Sequence, residues 1–171
     1  MLNIMLVDDE SLVRTGLRCG INWASVGMQV VDEAGSVPQA RAKLSARHDI
    51  DLIFTDIVMP GETGLDLIRQ LKAGQDDLPV VIMTYHDDFS YVQEALRLGA
   101  IDYIHKSEIE QSSFYATLRR IGETVARRRE DGSAADSAHM QALMLVNAPD
   151  YRPPAGLKCD CRSLGHDAWL L

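Results

Sequence analysis

Five polar positions in this sequence, each at the end of a short apolar run, have the types needed for phosphoryl chemistry. Asp8 and Asp9 follow Leu2 to Val7, Asp56 follows Leu52 to Thr55, Thr84 closes Val80 to Thr84, and Lys106 follows Ile101 to Ile104 and His105. Carboxylates resist being gathered together: two of them ~4 Å apart repel by about 4 kcal/mol at an effective dielectric of 20. Such a cluster persists only if one member holds a proton or a cation sits among them. Carboxylates with a backbone carbonyl and waters suit Mg²⁺, a hard cation that keeps part of its water shell and favours phosphate oxygens. A carboxylate beside that ion can attack a phosphoryl group in line and become an aspartyl phosphate. Positioning and charge neutralisation are most of what such a transfer requires, and Lys106 adds a positive charge and Thr84 a hydroxyl. Capping of the first helix would account for one of Asp8 and Asp9. It would not account for the pair together with Asp56, Thr84 and Lys106. A nucleophile–base pair for ester or peptide hydrolysis is absent, as is a Gly-rich phosphate loop.

The elements that must position these groups follow from periodicity. Leu2 to Val7 reads as a buried strand, Ser11 to Cys19 as a helix and Met28 to Val31 as a short strand. Val37, Ala40 and Leu44 mark the next helix, Leu52 to Thr55 the third strand, and Leu65, Ile68 and Leu71 a helix closed by Gly74. Val80 to Thr84 is the fourth strand. Phe89, Val92 and Leu96 carry the fourth helix to a cap at Gly99, and Ile101 to Ile104 is the fifth strand. Phe114, Leu118, Ile121 and Val125 define a last helix. Strands alternating with helices predict parallel βαβ units, wound right-handedly, with helices on both faces of one sheet. Ligands in such open sheets sit outside the carboxyl ends of the strands, where the five polar positions fall.

The 171 residues allow one ordinary domain and a tail. A hydrophobic fraction of 46% with 25% charged residues is that of a globular protein. No apolar run approaches the ~20 residues of a membrane span, and acids follow the first apolar run at once, unlike a signal peptide. A cytoplasmic location with no membrane partner is expected. The net charge of −8 argues against this chain gripping nucleic acid by itself. Cys19 reads as a buried thiol; Cys159 and Cys161, with His166 nearby, read as free thiols rather than a metal site.

The sequence resembles the receiver domains of two-component response regulators over residues 1–130. The resemblance is carried by Leu6-Val7-Asp8-Asp9-Glu10, Phe54-Thr55-Asp56-Ile57-Val58-Met59-Pro60, Gly64, Ile82-Met83-Thr84, and Gly99-Ala100-Ile101-Asp102-Tyr103-Ile104-His105-Lys106. It implies a flavodoxin-like sheet of five strands in the order 2-1-3-4-5 with five helices. It also implies that Asp56 accepts a phosphoryl group from a sensor histidine kinase. Asp9, Asp56 and the Val58 carbonyl would bind Mg²⁺ directly and Asp8 through water, Lys106 would contact the acyl phosphate, and Thr84 and Tyr103 would form a switch pair. Homodimerisation on phosphorylation, through the face of the fourth helix, fifth strand and fifth helix, is a further implication. The segments Asn22 to Gly27 and Tyr85 to Val92 are similar to receivers fused to an AraC-type helix-turn-helix domain, the YesN-like group.

Two positions depart from the pattern. Ser107 stands where most receivers have a proline whose cis bond helps aim the lysine. A non-proline cis bond costs about 3 kcal/mol, so a trans bond and a reshaped loop are expected. Tyr85 stands where a small residue usually leaves the phosphoryl site open. His86 and His105 read as solvent-edge loop histidines. Arg127, Arg128 and Arg129 suit a helix end. Residues 131–171 read as a linker and an incomplete or irregular tail, with weak helical character over 134–146 and a loop over 151–156. The expected function is therefore a switch that controls transcription through an effector domain not present here, with DNA contacted only through that domain. The alternatives are a stand-alone receiver acting by protein–protein contact and a degenerate receiver serving only dimerisation. An aspartyl phosphatase is disfavoured because Val58 stands where its acid/base aspartate would be. No enzymatic activity beyond self-phosphorylation and weak autophosphatase action is expected.

Overall fold

The structure is a computed structural model; it describes residues 1–74, 78–85, 89–111 and 113–129. The sequence readings that fall on His86, on the residue 130–171 tail, and on Cys159, Cys161 and His166 lie outside these residues. Five strands, β1 (Leu2–Val7), β2 (Met28–Ala34), β3 (Leu52–Thr55), β4 (Val80–Thr84) and β5 (Asp102–His105), form one parallel sheet in the order β2-β1-β3-β4-β5. Five helices connect and close them: α1 (Ser11–Gly20), α2 (Val37–Ala46), α3 (Gly64–Ala73), α4 (Phe89–Leu98) and α5 (114–129).

Strand alternation divides the core in two. Met5, Val7, Ile53, Val80 and Ile82 face a layer that includes Val37, Leu67, Ile68 and Ala95 of α2, α3 and α4. Ile4, Leu6, Phe54, Val81 and Ile104 face Leu17 of α1 and Phe114, Leu118 and Ile121 of α5. The three central strands are buried on both faces, which is why they read as continuous apolar runs.

β3 and β4 have the bounds their apolar runs predict, and the four α5 positions are all buried. β2 runs three residues further than expected. The added length brings in two acids, Asp32 and Glu33, on an edge strand, and cations pair with them: Lys43 of α2 and Arg47 just after it with Asp32, and Arg14 and Arg18 of α1 with Glu33. A bulge between Ile4 and Met5 shifts the β1–β2 register. β5 starts one residue later than expected. In α4 the inward positions are Tyr91, Ala95 and Leu98, while Leu96 is exposed, so the stripe expected through Leu96 is displaced. Cys19 is also corrected: it is exposed. Leu17 and Ile21 are the buried pair in this region, and a residue midway between positions four apart faces the opposite side of a helix.

The segment after α1 is part of the core. Asn22 accepts a hydrogen bond from the Ser25 N–H, a 3₁₀ turn covers Trp23–Val26, and Gly27 takes a left-handed φ of 74°. Trp23 is buried with its ring centroid 5.4 Å from that of Phe54, and its indole N–H donates to the Leu17 carbonyl at 2.9 Å. Capping fixes the entry to α3. The Thr63 hydroxyl accepts from the Asp66 N–H, and the Asp66 carboxylate accepts from the Thr63 N–H. These bonds, the backbone one foremost, hold the Asp66 carboxyl below its ordinary value of 3.8.

Candidate functional site

β1, β3 and β4 end together, so the parallel sheet delivers Asp8, Asp56 and Thr84 to one edge. The ladder extends past the strands: the Asp56 N–H donates to the Val7 carbonyl at 2.8 Å, and the Asp8 N–H donates to the Ala34 carbonyl at 3.0 Å. Both aspartates are therefore held by their own backbone before any side chain contributes. Asp8, Asp56, Thr84 and Lys106 are all buried, while Asp9 is exposed at the mouth.

Lys106 joins the cluster. Its ammonium donates to Asp8 Oδ2 at 2.5 Å and to Asp56 Oδ2 at 2.7 Å. The second oxygen of each carboxylate is taken by backbone: Asp8 Oδ1 accepts from the Glu10 N–H at 2.9 Å, and Asp56 Oδ1 accepts from the Ile57 N–H at 2.6 Å. Asp8 thus shapes the turn ahead of α1, and no side chain makes a capping hydrogen bond at the Glu10 N-cap. Burial alone would push the Lys106 ammonium down. The hydrogen bonds to Asp56 and Asp8, with their negative charge, outweigh burial and hold its pKa above the ordinary 10.5. Lys106 is consequently a fixed cation at neutral pH.

Oxygens of Asp8, Asp9 and Asp56 lie within 4.8 Å of one another. Among the described residues, three carboxylates against one ammonium leave this cluster a formal charge of −2. All the donors are hard oxygens, and the cluster is open on the Asp9 side, so the residues fit a hard divalent cation.

The backbone beneath Asp56 is confined as tightly as its side chain. The Thr55 hydroxyl donates to the Asp56 carbonyl at 2.9 Å, and the Gly64 N–H donates to the Ile57 carbonyl at 2.9 Å. A Cβ on Gly64 would lie 2.1 Å from the Asp56 carbonyl oxygen. Only glycine lets α3 begin this close to the loop that follows β3.

The remaining positions fall as follows. Val58 lies between β3 and α3 and is 41% exposed. Thr84 pairs with His105 and Ile82 with Tyr103, so alternation places Thr84 and Tyr103 on the α4 side of the sheet, where the Tyr103 ring is partly buried against the core. The Lys106–Ser107 bond is trans, as no described peptide is cis, and the lysine still reaches both aspartates. His105 differs from the expected solvent-edge histidine. It is partly buried at the end of β5, and its ring contacts both the Tyr85 carbonyl and Ser107. Its position opposite Thr84 in the β4–β5 register is the signal that could have found it.

Among the described residues, no helix is long and apolar enough to cross a membrane. The chain is 28% identical over 154 residues to the transcriptional regulatory protein FixJ of Bradyrhizobium diazoefficiens, covering 83% of this chain and 73% of that protein. It is 28% identical over 141 residues to the uncharacterized transcriptional regulatory protein YesN of Bacillus subtilis, covering 82% of this chain and only 37% of YesN. Among solved structures, the REC domain of AraT, a response regulator from Geobacillus stearothermophilus, is 31% identical with a TM-score of 0.59, over 77% of this chain and 98% of that one. Residues 4–118 match the response regulator receiver domain family, and with this sheet order and this acidic edge the chain belongs to the receiver domains of two-component response regulators.

Proposed function

We propose that Asp56 is the phosphoacceptor of this receiver and that a sensor histidine kinase is its physiological donor. The observation that carries the reading is the Lys106 ammonium bridging Asp8 and Asp56 inside a cluster that keeps a surplus of two negative charges. In the transfer an Asp56 carboxylate oxygen bonds to phosphorus while the P–N bond of a phosphohistidine breaks, the departing imidazole keeping the electron pair. Lys106 is already at Asp56 Oδ2, where it can meet a phosphoryl oxygen without crossing the site, and Thr84 supplies a hydroxyl on the α4 side. Asp9, Asp56 and the Val58 carbonyl would hold Mg²⁺, with Asp8 acting through water; when bound, the ion neutralises the charge on the phosphoryl oxygens. Thr84 and Tyr103 share a face of the sheet, and in this reading a hydroxyl drawn toward the phosphoryl group leaves room for the ring to move inward, biasing a two-state surface.

The names of FixJ and YesN, transcriptional regulatory proteins of which this chain covers 73% and 37%, support a reading of the output. In this reading residues 1–130 are the receiver, residues 131–171 lead toward an effector, and the receiver controls transcription through that effector and homodimerises on phosphorylation. The segments Asn22 to Gly27 and Tyr85 to Val92, with the match to YesN, favour an AraC-type effector. Incubation with acetyl phosphate and Mg²⁺, read by intact mass, tests the acceptor reading. One added phosphoryl group, absent in Asp56→Asn and in excess chelator, is the expected result. Equal labelling of Asp56→Asn would overturn it.

A further inference from the structure

His105 and Ser107 make a polar latch beside the lysine. One imidazole nitrogen, Nε2, lies 3.0 Å from the Tyr85 carbonyl oxygen at the end of β4. The other, Nδ1, accepts from the Ser107 N–H at 3.3 Å and lies 2.5 Å from the Ser107 hydroxyl, capping the 3₁₀ turn Lys106–Glu110. A carbonyl oxygen can only accept, so Nε2 must carry the proton, and Nδ1 is then the acceptor that the Ser107 N–H requires. One tautomer satisfies these three contacts. The residue between the two ends of the latch is Lys106, and the chain on the far side of it is Tyr85, whose ring centroid is 5.2 Å from the Lys106 ammonium and 6.3 Å from the His105 ring.

We infer that His105 is a positioning residue: by tying Ser107 and the Tyr85 carbonyl together through its Nε2–H tautomer, it aims Lys106 at Asp56 across a trans Lys106–Ser107 bond and holds the Tyr85 ring at the mouth of the same site. The inference rests on the reading of Asp56 as phosphoacceptor. The geometry ties lysine aim and site access to a single side chain. The Lys106 side chain must span from the β5 end to two carboxylates on β1 and β3, and a rotation of its backbone would carry the ammonium away from Asp56. The 3₁₀ turn that follows has no other side-chain cap among the described residues. Breaking the latch would therefore loosen the aim of Lys106 and release Tyr85 together.

The test has two arms on the full chain. Long-range ¹H–¹⁵N correlation of the His105 ring, under mildly alkaline conditions where imidazoles are neutral, should show the Nε2–H tautomer. This readout does not depend on phosphorylation, so it separates failure of the latch from failure of the acceptor reading; an Nδ1–H tautomer or an even mixture overturns the latch. The second arm is the rate of Asp56 phosphorylation by acetyl phosphate. His105→Ala should lose about ten- to a hundredfold, the scale expected for a misplaced reacting group. His105→Gln retains a donor for the Tyr85 carbonyl and should recover most of that loss. A wild-type rate in His105→Ala, or an equal loss in both variants, overturns the proposal. Should His105→Ala fail to fold, the tautomer decides.

Discussion

Two charged regions of this molecule are built in opposite ways. Around Asp32 of β2 and the chain entering β3, Asp32, Asp49 and Asp51 meet Lys43, Arg47 and Arg129, three acids against three bases among the described residues. At the carboxyl edge of the sheet, Asp8, Asp9 and Asp56 cluster, and among the described residues Lys106 is the one cation paired within the cluster, to Asp8 and Asp56. The first region is complete as it stands, and its acids also serve the backbone: Asp51 accepts from the Asn3 N–H at 2.8 Å. The second is deficient in positive charge. A balanced cluster stabilises a fold, whereas a buried cluster with a surplus stores an affinity for something that neutralises it. The sign of a mutation's effect should therefore differ between the two regions.

The largest effect is expected for Lys106→Met, which leaves two buried carboxylates without their cation. Unfolding at neutral pH in chelator should lose about 3–5 kcal/mol, and phosphorylation should fall with it. A variant as stable as wild type in denaturant titration would mean the ammonium does not balance the edge. Gly64→Ala comes next. Its methyl must displace the backbone carbonyl of Asp56, and overpacking of this kind costs about 1–3 kcal/mol, against at most about 1 kcal/mol gained in helix propensity. Thermal stability and phosphorylation should therefore both fall; a stabilised, active variant would contradict the close approach.

In the balanced region, Asp51→Ala strands the Asn3 N–H and Arg129 and should cost about 1–3 kcal/mol. In the surplus region, Asp9→Asn should do the reverse in chelator and raise the melting temperature, because it relieves repulsion. If the cluster holds Mg²⁺ as proposed, added Mg²⁺ should stabilise the wild type and not this variant. Destabilisation by both variants would erase the contrast between the regions.

The smallest effects are those of pH. Burial would raise the Asp32 carboxyl, but the hydrogen bonds from Lys43 and the Glu33 N–H, with the charges of Lys43 and Arg47, hold it below 3.8. A carboxyl lowered in the folded state contributes stability above its unfolded value and loses it as pH falls through the folded one. Lys106 is raised above 10.5, so its contribution is present below the unfolded value and lost as pH rises through the folded one. Between about pH 4 and pH 10 neither group titrates. Denaturant midpoints should therefore drop in acid less for Asp32→Asn than for wild type, and the alkaline drop should shrink in Lys106→Met. An unchanged acid limb in Asp32→Asn would assign that limb to other groups.

What could be read from sequence followed burial. β3 and β4 lie between helices on both faces, so their apolar runs mark their ends, and the polar residue after each run is the one at the sheet edge. The sequence reading of β2 stops short at Asp32 and Glu33, and only the structure shows Lys43, Arg47, Arg14 and Arg18 arriving from α2, the chain after it and α1 to pair with those acids. Cys19 and Leu96 sit in helical patterns whose apolar residues outnumber the places on the buried face, and periodicity alone could not choose among them. The arrival of Asp8, Asp56, Thr84 and Lys106 at one edge was legible because each ends or follows a strand. The contact between Lys106 and both aspartates was not, since it joins residues 98 and 50 positions apart. His105 was missed for a related reason: its partners, Tyr85 and Ser107, are backbone and a small hydroxyl, neither of which marks a site in a sequence.

The account turns on which of the three clustered carboxylates takes the phosphoryl group. Borohydride reduction of the phosphorylated protein converts an acyl-phosphorylated aspartate to homoserine, which peptide mapping by mass spectrometry then locates. The account predicts conversion at Asp56 alone, with Asp8 and Asp9 untouched. Conversion at Asp8 or Asp9, or a phosphoryl group that resists borohydride and maps to a histidine, would contradict it.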